Sequence, residues 1–319
     1  MRSIQDLRGT GLGTRYLFMA RQVWMHLPRS VRVLAPGQIY GRHLHTLVRQ
    51  RATRRQSFGT FFLRNRPELE LMGSLVDQKR YGSSLRISVL ACSKGAEVYS
   101  IAWAIGSKRP DLKLGLHAID ICQEILDFAE RGVYSLESAD DGEDISRTTS
   151  RDQNASIFER MTASEVDAMC EVIDGRVRVK SWLKKGITWM CGDAGDPDLV
   201  RALGPQDIVV ANRFLCHMEP GTAERCLRNV ARMVRPGGYL FVSGIDLDVR
   251  TRVARRMGWR PITDRLREIH EGDASLRHGW PLEYWGLEPF RDDRPDWSIR
   301  YASVFQVGAP TPLSTIERH

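Results

Sequence analysis

Ile87 to Ile105 reads ISVLACSKGAEVYSIAWAI: a short apolar run, a small polar turn, and then a segment of helical length. The run Ile87 to Ala91 has the length and continuity of a strand buried on both faces, as in parallel sheets. A helix is expected at 97–107. The same unit recurs along the chain, with strands expected at Leu114 to Ile119, Ile187 to Cys191, Asp207 to Ala211 and Tyr239 to Gly244. Helices are expected at 121–131, 196–203 and 220–234, and Pro236-Gly237-Gly238 ends the last by denying it a donor and turning the chain into the next strand. Five strand–helix units predict an α/β fold built on a doubly wound, Rossmann-like sheet.

The flanks read differently. Up to about Tyr81 the spacing is helical, as at Leu44, Leu47 and Val48, which predicts a basic helical N-terminal domain over 1–82 ahead of a sheet domain over 83–310. Residues 1–80 hold 15 Lys+Arg and 4 Asp+Glu, a net of +11 within a whole-chain charge of +8, so the cationic character belongs to this quarter. Residues 137–160 are polar and lack apolar periodicity, which predicts a surface excursion or lid. Arg176 to Trp182 (RVRVKSW) alternates, predicting an extra strand leading into the Ile187 strand, and Ser298 to Val307 predicts a closing strand.

With 319 residues, 42% hydrophobic and 27% charged, the chain is globular in composition. No run approaches the roughly 20 apolar residues of a membrane span, and the start MRSIQDLRGTGLG lacks the apolar segment of a secretory signal, so a cytoplasmic location is expected. Six cysteines form no C-x-x-C pair and read as reduced thiols. His43 and His45 read as surface histidines, because no Cys or acid nearby completes a metal set. Trp259, Trp280, Trp285 and Trp297 read as core.

In an open α/β sheet a ligand settles at the carboxyl ends of the strands. The first turn, Cys92-Ser-Lys-Gly95, matches neither G-x-G-x-x-G nor the G-x-x-x-x-G-K-[ST] loop, which argues against a pyrophosphate or triphosphate. Glu97 behind it points to a cationic ligand group. Asp120, at the end of the second strand, is placed to accept ribose hydroxyls, and Asp193, after the third, to accept from an adenine amino group. A cationic portion, a ribose, a base and no phosphate describe S-adenosylmethionine.

Several segments in order also resemble the chemotaxis receptor methyltransferases of the CheR type, from about Phe58 to Gly244. TFFLR (Thr60 to Arg64) is similar to the family's T-x-F-F-R, CSKGAEVYSIAWAI (Cys92 to Ile105) to C-S-x-G-E-E-x-Y-S-x-A, and VRPGGYLFVSG (Val234 to Gly244) to K-P-G-G-x-L-x-x-G. AIDICQEILDFAERGVYS (Ala118 to Ser135) resembles the A-T-D-I segment and its following helix. The resemblance implies a class I methyltransferase domain with S-adenosylmethionine as cofactor. Gly95, Glu97 and Asp120 are then implied cofactor contacts, and Thr60 and Arg64 are implied to close over it; Cys92, Asp193 and Asn212 complete the expected cofactor set. The region around RVRVKSW occupies the place of the family's small receptor-binding β-subdomain.

Two departures lie on this background. Gly95-Ala96-Glu97-Val98 stands where the family has G-E-E-P, and Ala211-Asn212-Arg213-Phe214-Leu215-Cys216-His217-Met218 stands where it has C-R-N-x-x-x-Y-F. The resemblance implies that the second of these segments faces the methyl acceptor, and its divergence favours methyl transfer to a small, metabolite-like acceptor, with a protein glutamate as the alternative. An anionic or polar acceptor is expected, held by Arg64 and Arg213, with His217 orienting or deprotonating it. Nucleic acid is disfavoured as acceptor, because the basic stretch RQRATRRQ (Arg49 to Gln56) lacks interleaved aromatics. A cofactor-binding regulator without catalysis is the remaining alternative.

Overall fold

The protein is described from a computed structural model, which covers residues 12–51, 59–135, 156–173, 175–272, 280–282 and 287–308. The strands are β1 (Ser84–Leu90), β2 (Lys113–Asp120), β3 (Val133–Ser135), β4 (Cys170–Ile173), β5 (Arg176–Val179), β6 (Ile187–Cys191), β7 (Gln206–Val210), β8 (Val234–Phe241), β9 (Arg260–Pro261) and β10 (Val304–Gln306). Among the described residues four helices precede the first strand: α1 (Leu12–His26), α2 (Arg29–Val33), α3 (Ala35–Arg51) and α4 (Arg66–Asp77). They are followed by α5 (Ala96–Lys108), α6 (Gln123–Arg131), α7 (Ala163–Met169), α8 (Ser181–Lys184), α9 (Pro197–Leu203), α10 (Pro220–Ala231), α11 (Leu247–Arg256), α12 (Leu266–Glu271) and α13 (Trp297–Tyr301).

Seven strands form one sheet in the order β6-β2-β1-β7-β8-β10-β9. β1 pairs in parallel with both β2 and β7, so the winding reverses there and opens a crevice beyond its carboxyl end. β10 pairs antiparallel with both β8 and β9, and the other pairings of the sheet are parallel. Alternation along the strands divides the core between the two faces. Leu85, Ile87 and Val89 pack with Met72 of α4 and Ile101 of α5, while Leu90 and Val209 pack with Leu227 of α10 and Val253 of α11. The doubly wound α/β sheet inferred from the alternating runs is therefore present, with all five expected strands.

Several expectations are corrected. Pro236-Gly237-Gly238 lies inside β8: Gln206 pairs with Val234 and Ile208 with Tyr239, so the extra residues bulge from the strand. Arg176 to Val179 does form a strand, but in a separate antiparallel sheet ordered β3-β5-β4, and Ser181–Lys184 is helical. Of the expected closing strand, Trp297–Tyr301 is a helix and only Val304–Gln306 is extended. His45 is half-buried rather than exposed: its ring centroid lies 6.4 Å from that of Trp280, Nδ1 is 3.4 Å from the Pro281 carbonyl, and burial lowers its pKa.

The helices ahead of β1 pack in two ways. α4 contributes Leu71, Met72 and Val76 to the same core as β1, whereas α1 and α3 pack around Leu17, Ala20, Trp24, Leu44 and Val48, capped by Trp280 and Leu282. Arg49 ties α3 to the body through Asp248 (2.7 Å) and Asp246 (3.7 Å). Most of the expected excursion at 137–160, together with Arg54, Arg55 and Trp285, lies outside the described residues. Its end is anchored in the core: Phe158 stacks on Phe62 at 5.1 Å, and Phe62 donates its N–H to the Ile157 carbonyl. Trp259 is core, as expected, packed against Phe305.

Candidate active site

A cavity of about 400 Å³ opens at the carboxyl ends of β1, β2, β6 and β7. Thr60, Arg64, Cys92, Glu97, Asp120, Asp193, Asn212, Arg213 and His217 all line it. Gly95 does not. It starts α5 with φ +83°, and a Cβ there would stand 3.0 Å from Ala129 and 3.1 Å from Trp189. Its demand is for a left-handed turn and close packing of the helix end, which only glycine meets without strain.

The carboxylates are held by neighbouring donors. Asp120 is buried, and its two oxygens accept the main-chain N–H groups of Ser93 (2.9 Å) and Cys122 (3.2 Å). Burial raises its pKa, and these N–H groups oppose the rise. Asp193 accepts the Gly195 N–H at 2.7 Å. Glu97 sits at the start of α5, where burial pushes its carboxyl upward while Asn212, Arg64 and Arg213 pull it back. A buried acid held by donors is suited to a cationic ligand group.

Asn212 has a role that its place in the sequence did not reveal. Its Nδ2 donates to Glu97 Oε1 and Glu68 Oε1, both at 2.8 Å, and its Oδ1 accepts the Ser243 N–H at 3.0 Å. Every hydrogen-bonding group of the amide is thus used inside the protein. Glu68, missed from sequence, comes from α4, and its other oxygen accepts from Ser303 Oγ at 3.4 Å. The available signal was that Glu68 is the first acidic residue after Asp6. The network joins α4, α5, the end of β7, the segment after β8 and the residue before β10.

Strained backbone lies at both ends of the cavity. Ala91, Ser93 and Arg213 line it with φ of +52°, +51° and +62°, and Leu63, just before Arg64, has +49°. Non-glycine residues there cost about 1–3 kcal/mol each and tend to gather at functional sites. Gly244 makes the Arg213 conformation feasible, because a Cβ at 244 would stand 2.6 Å from Arg213 Cα. Arg64 donates from Nη2 to the Gly59 carbonyl at 2.8 Å and lies 5.3 Å over the Phe61 ring. His217 ends a 3-10 turn (Leu215–His217) and lines the cavity beside Phe214 and Met218.

Residues 59–247 match the family model described as "CheR methyltransferase, SAM binding domain", which covers more than half of the chain and spans every residue of this cavity from Gly59 to Met218. The chain belongs to the CheR methyltransferase family. The family's cofactor is S-adenosylmethionine, and the matched segment contains the whole cavity, with Asp120 and Asp193 at strand ends and Glu97 in the first turn of α5.

Curated relatives of this CheR-family chain include the probable biofilm formation methyltransferase WspC of Pseudomonas aeruginosa, 26% identical over 61% of this chain and 42% of that protein. Chemotaxis protein methyltransferase 1 of Vibrio cholerae is 27% identical over 51% of this chain and 54% of its own length. The chain thus spans about half the length of these two relatives. Among solved structures, a TehB-like SAM-dependent methyltransferase from Corynebacterium glutamicum is similar with a TM-score of 0.38 and 13% identity, covering 76% of this chain and 87% of that one. Among the described residues no group of His, Cys, Asp or Glu is arranged to hold a metal ion, and no helix is long and apolar enough to cross a membrane.

Proposed function

We propose that this chain is an S-adenosylmethionine-dependent methyltransferase whose acceptor is a carboxylate, a glutamate side chain of a partner protein. This replaces the expectation of a metabolite-like acceptor, because the relatives just described are named for chemotaxis and biofilm formation rather than for metabolites. The observation that carries a protein acceptor is the separate β3-β5-β4 sheet. It stands where the resemblance puts a receptor-binding subdomain, and its outer strand β4 presents exposed Val172 and Ile173.

In this reading Glu97 and Asp120 hold the cofactor's amino and ribose groups, with Asp193 at the base and Asn212 fixing Glu97. The cofactor supplies an activated methyl group on sulfur. Arg64 and Arg213, both near enough to act on Glu97 electrostatically, steer an anionic acceptor into the cavity. A glutamate, ordinarily ionised above about pH 4.3, needs no base, so catalysis rests on alignment and His217 orients rather than deprotonates. Thr60 and Phe61 border the approach from the segment before α4.

Labelled methyl donor incubated with the protein and fractionated lysate tests this. Label should enter protein and leave as methanol on mild alkali, the behaviour of a carboxyl methyl ester. Alkali-stable label, or label confined to small molecules, would overturn the carboxylate reading.

A further inference from the structure

The described residues expose fifteen large apolar side chains, and nine of them fall between Tyr16 and Ile39. Phe18, Met19, Val23 and Met25 on α1, Leu34 before α3 and Ile39 on α3 are each more than half exposed. Soluble proteins seldom concentrate exposed apolar groups without using them. The opposite face of the same helices is already committed: Leu17, Ala20 and Trp24 pack on Leu44 and Val48, and Trp280 meets Trp24 edge-on at 5.6 Å. With Arg49 pinned to Asp246 and Asp248, the hairpin is fastened by one side and presents the other.

Charge accompanies this face. α1, α2 and α3 together hold seven arginines and no acidic residue. We infer that α1 to α3 form a docking surface for an anionic lipid membrane, onto which the protein settles peripherally through its exposed apolar side chains and surrounding arginines. Partial insertion of apolar side chains combined with attraction to anionic headgroups is how monotopic helices hold a membrane.

Three features select lipid over other occupants. A second copy meeting the same patch would set arginines against arginines, since a two-fold contact pairs a surface with itself. Nucleic acid could stack only on Tyr16 and Phe18, and it gains little from the other seven exposed side chains, all Met, Val, Leu or Ile. The apolar groups also leave α1 on two flanks: Met19 and Val23 lie one turn apart on one, Phe18 and Met25 two turns apart on the other. A rigid protein would have to wrap the helix to cover both, whereas the headgroup region deforms around it.

Sedimentation of the full chain with vesicles tests the inference, using phosphatidylcholine alone and phosphatidylcholine with about a third phosphatidylglycerol. Binding should be confined to the anionic vesicles and weaken as salt rises. The double variant Met19→Glu, Val23→Glu should bind them roughly tenfold less tightly, with melting temperature and S-adenosylmethionine affinity unchanged. Because these side chains are exposed, folding should survive; Leu34→Glu provides a second, separate site on the same face. Equal binding to neutral and anionic vesicles, no binding to either, or undiminished binding by both variants would overturn it. So would a concentration-dependent dimer abolished by the same substitutions in the absence of vesicle binding.

Discussion

The two ends of the cavity are built by different means. At the donor end, Asp120 and Asp193 are seated by main-chain N–H groups at strand termini, and Glu97 is held by Asn212. At the acceptor end, Arg213 stands on a left-handed backbone, and Arg64 bonds the carbonyl of Gly59, five residues before it in its own loop. The donor end therefore follows from the sheet itself, and would serve any acceptor. Backbone strain is common to both ends, at Ala91 and Ser93 as at Arg213, but the acceptor end is carried by loops, where one chain can depart from its relatives without disturbing the sheet.

That division can be broken by substitution. Asp120→Ala should have the greatest effect, lowering affinity for S-adenosylmethionine by about 100-fold. It leaves two main-chain donors without their acceptor, each worth about 1–3 kcal/mol when buried, and removes a ligand contact. Calorimetry reads this, and an unchanged affinity would dissolve the donor end as defined here. Arg213→Ala should leave that affinity alone and lower kcat/KM for the acceptor by roughly 30-fold, the weight of a charge-assisted hydrogen bond. Loss of donor binding in this variant would show that the two ends are one.

A pH series sharpens the boundary. Burial keeps Glu97 protonated to a higher pH than its ordinary value of 4.5, whereas a cationic ligand selects the ionised form, so binding expels a proton. Donor affinity should rise with pH, by up to about tenfold per unit, until the raised pKa is passed, and then level off. Glu97→Gln should bind more weakly and lose the slope. Glu68→Gln, which keeps an oxygen for Asn212 but removes the charge, should weaken donor binding only about threefold. His217→Phe should change least: with a carboxylate acceptor, turnover keeps its pH profile between about pH 6 and pH 9, while a profile that collapses would restore the base role.

Much of the donor end was legible because apolar runs mark the strands and the acids follow them directly. Asp120 and Asp193 are read from the ends of β2 and β6 with no knowledge of tertiary contacts. Glu68 was not legible for the opposite reason. Glu68 sits in the first turn of α4, where its N–H donates to Asn65 at 3.4 Å, and nothing local to that turn points to its carboxylate reaching Asn212, 144 residues away. Pro236-Gly237-Gly238 reads as the end of a helix and the turn into a strand because such residues forbid further helix, whereas pairing on both sides lets β8 carry them as a bulge. The helix at Trp297–Tyr301 shows the reverse case: an alternating pattern whose alternation did not fix its periodicity until it met the rest of the core.

Gly244 restricts how this family member can diverge. A methyl group at 244 and the observed backbone of Arg213 exclude each other, so neither position is free to vary on its own. Any descendant that acquires a side chain at 244 must in the same step re-aim residue 213, and with it whatever the acceptor end selects. Changes of acceptor in this lineage should therefore arrive as coupled pairs at 213 and 244, recognisable by their joint occurrence rather than by either substitution alone.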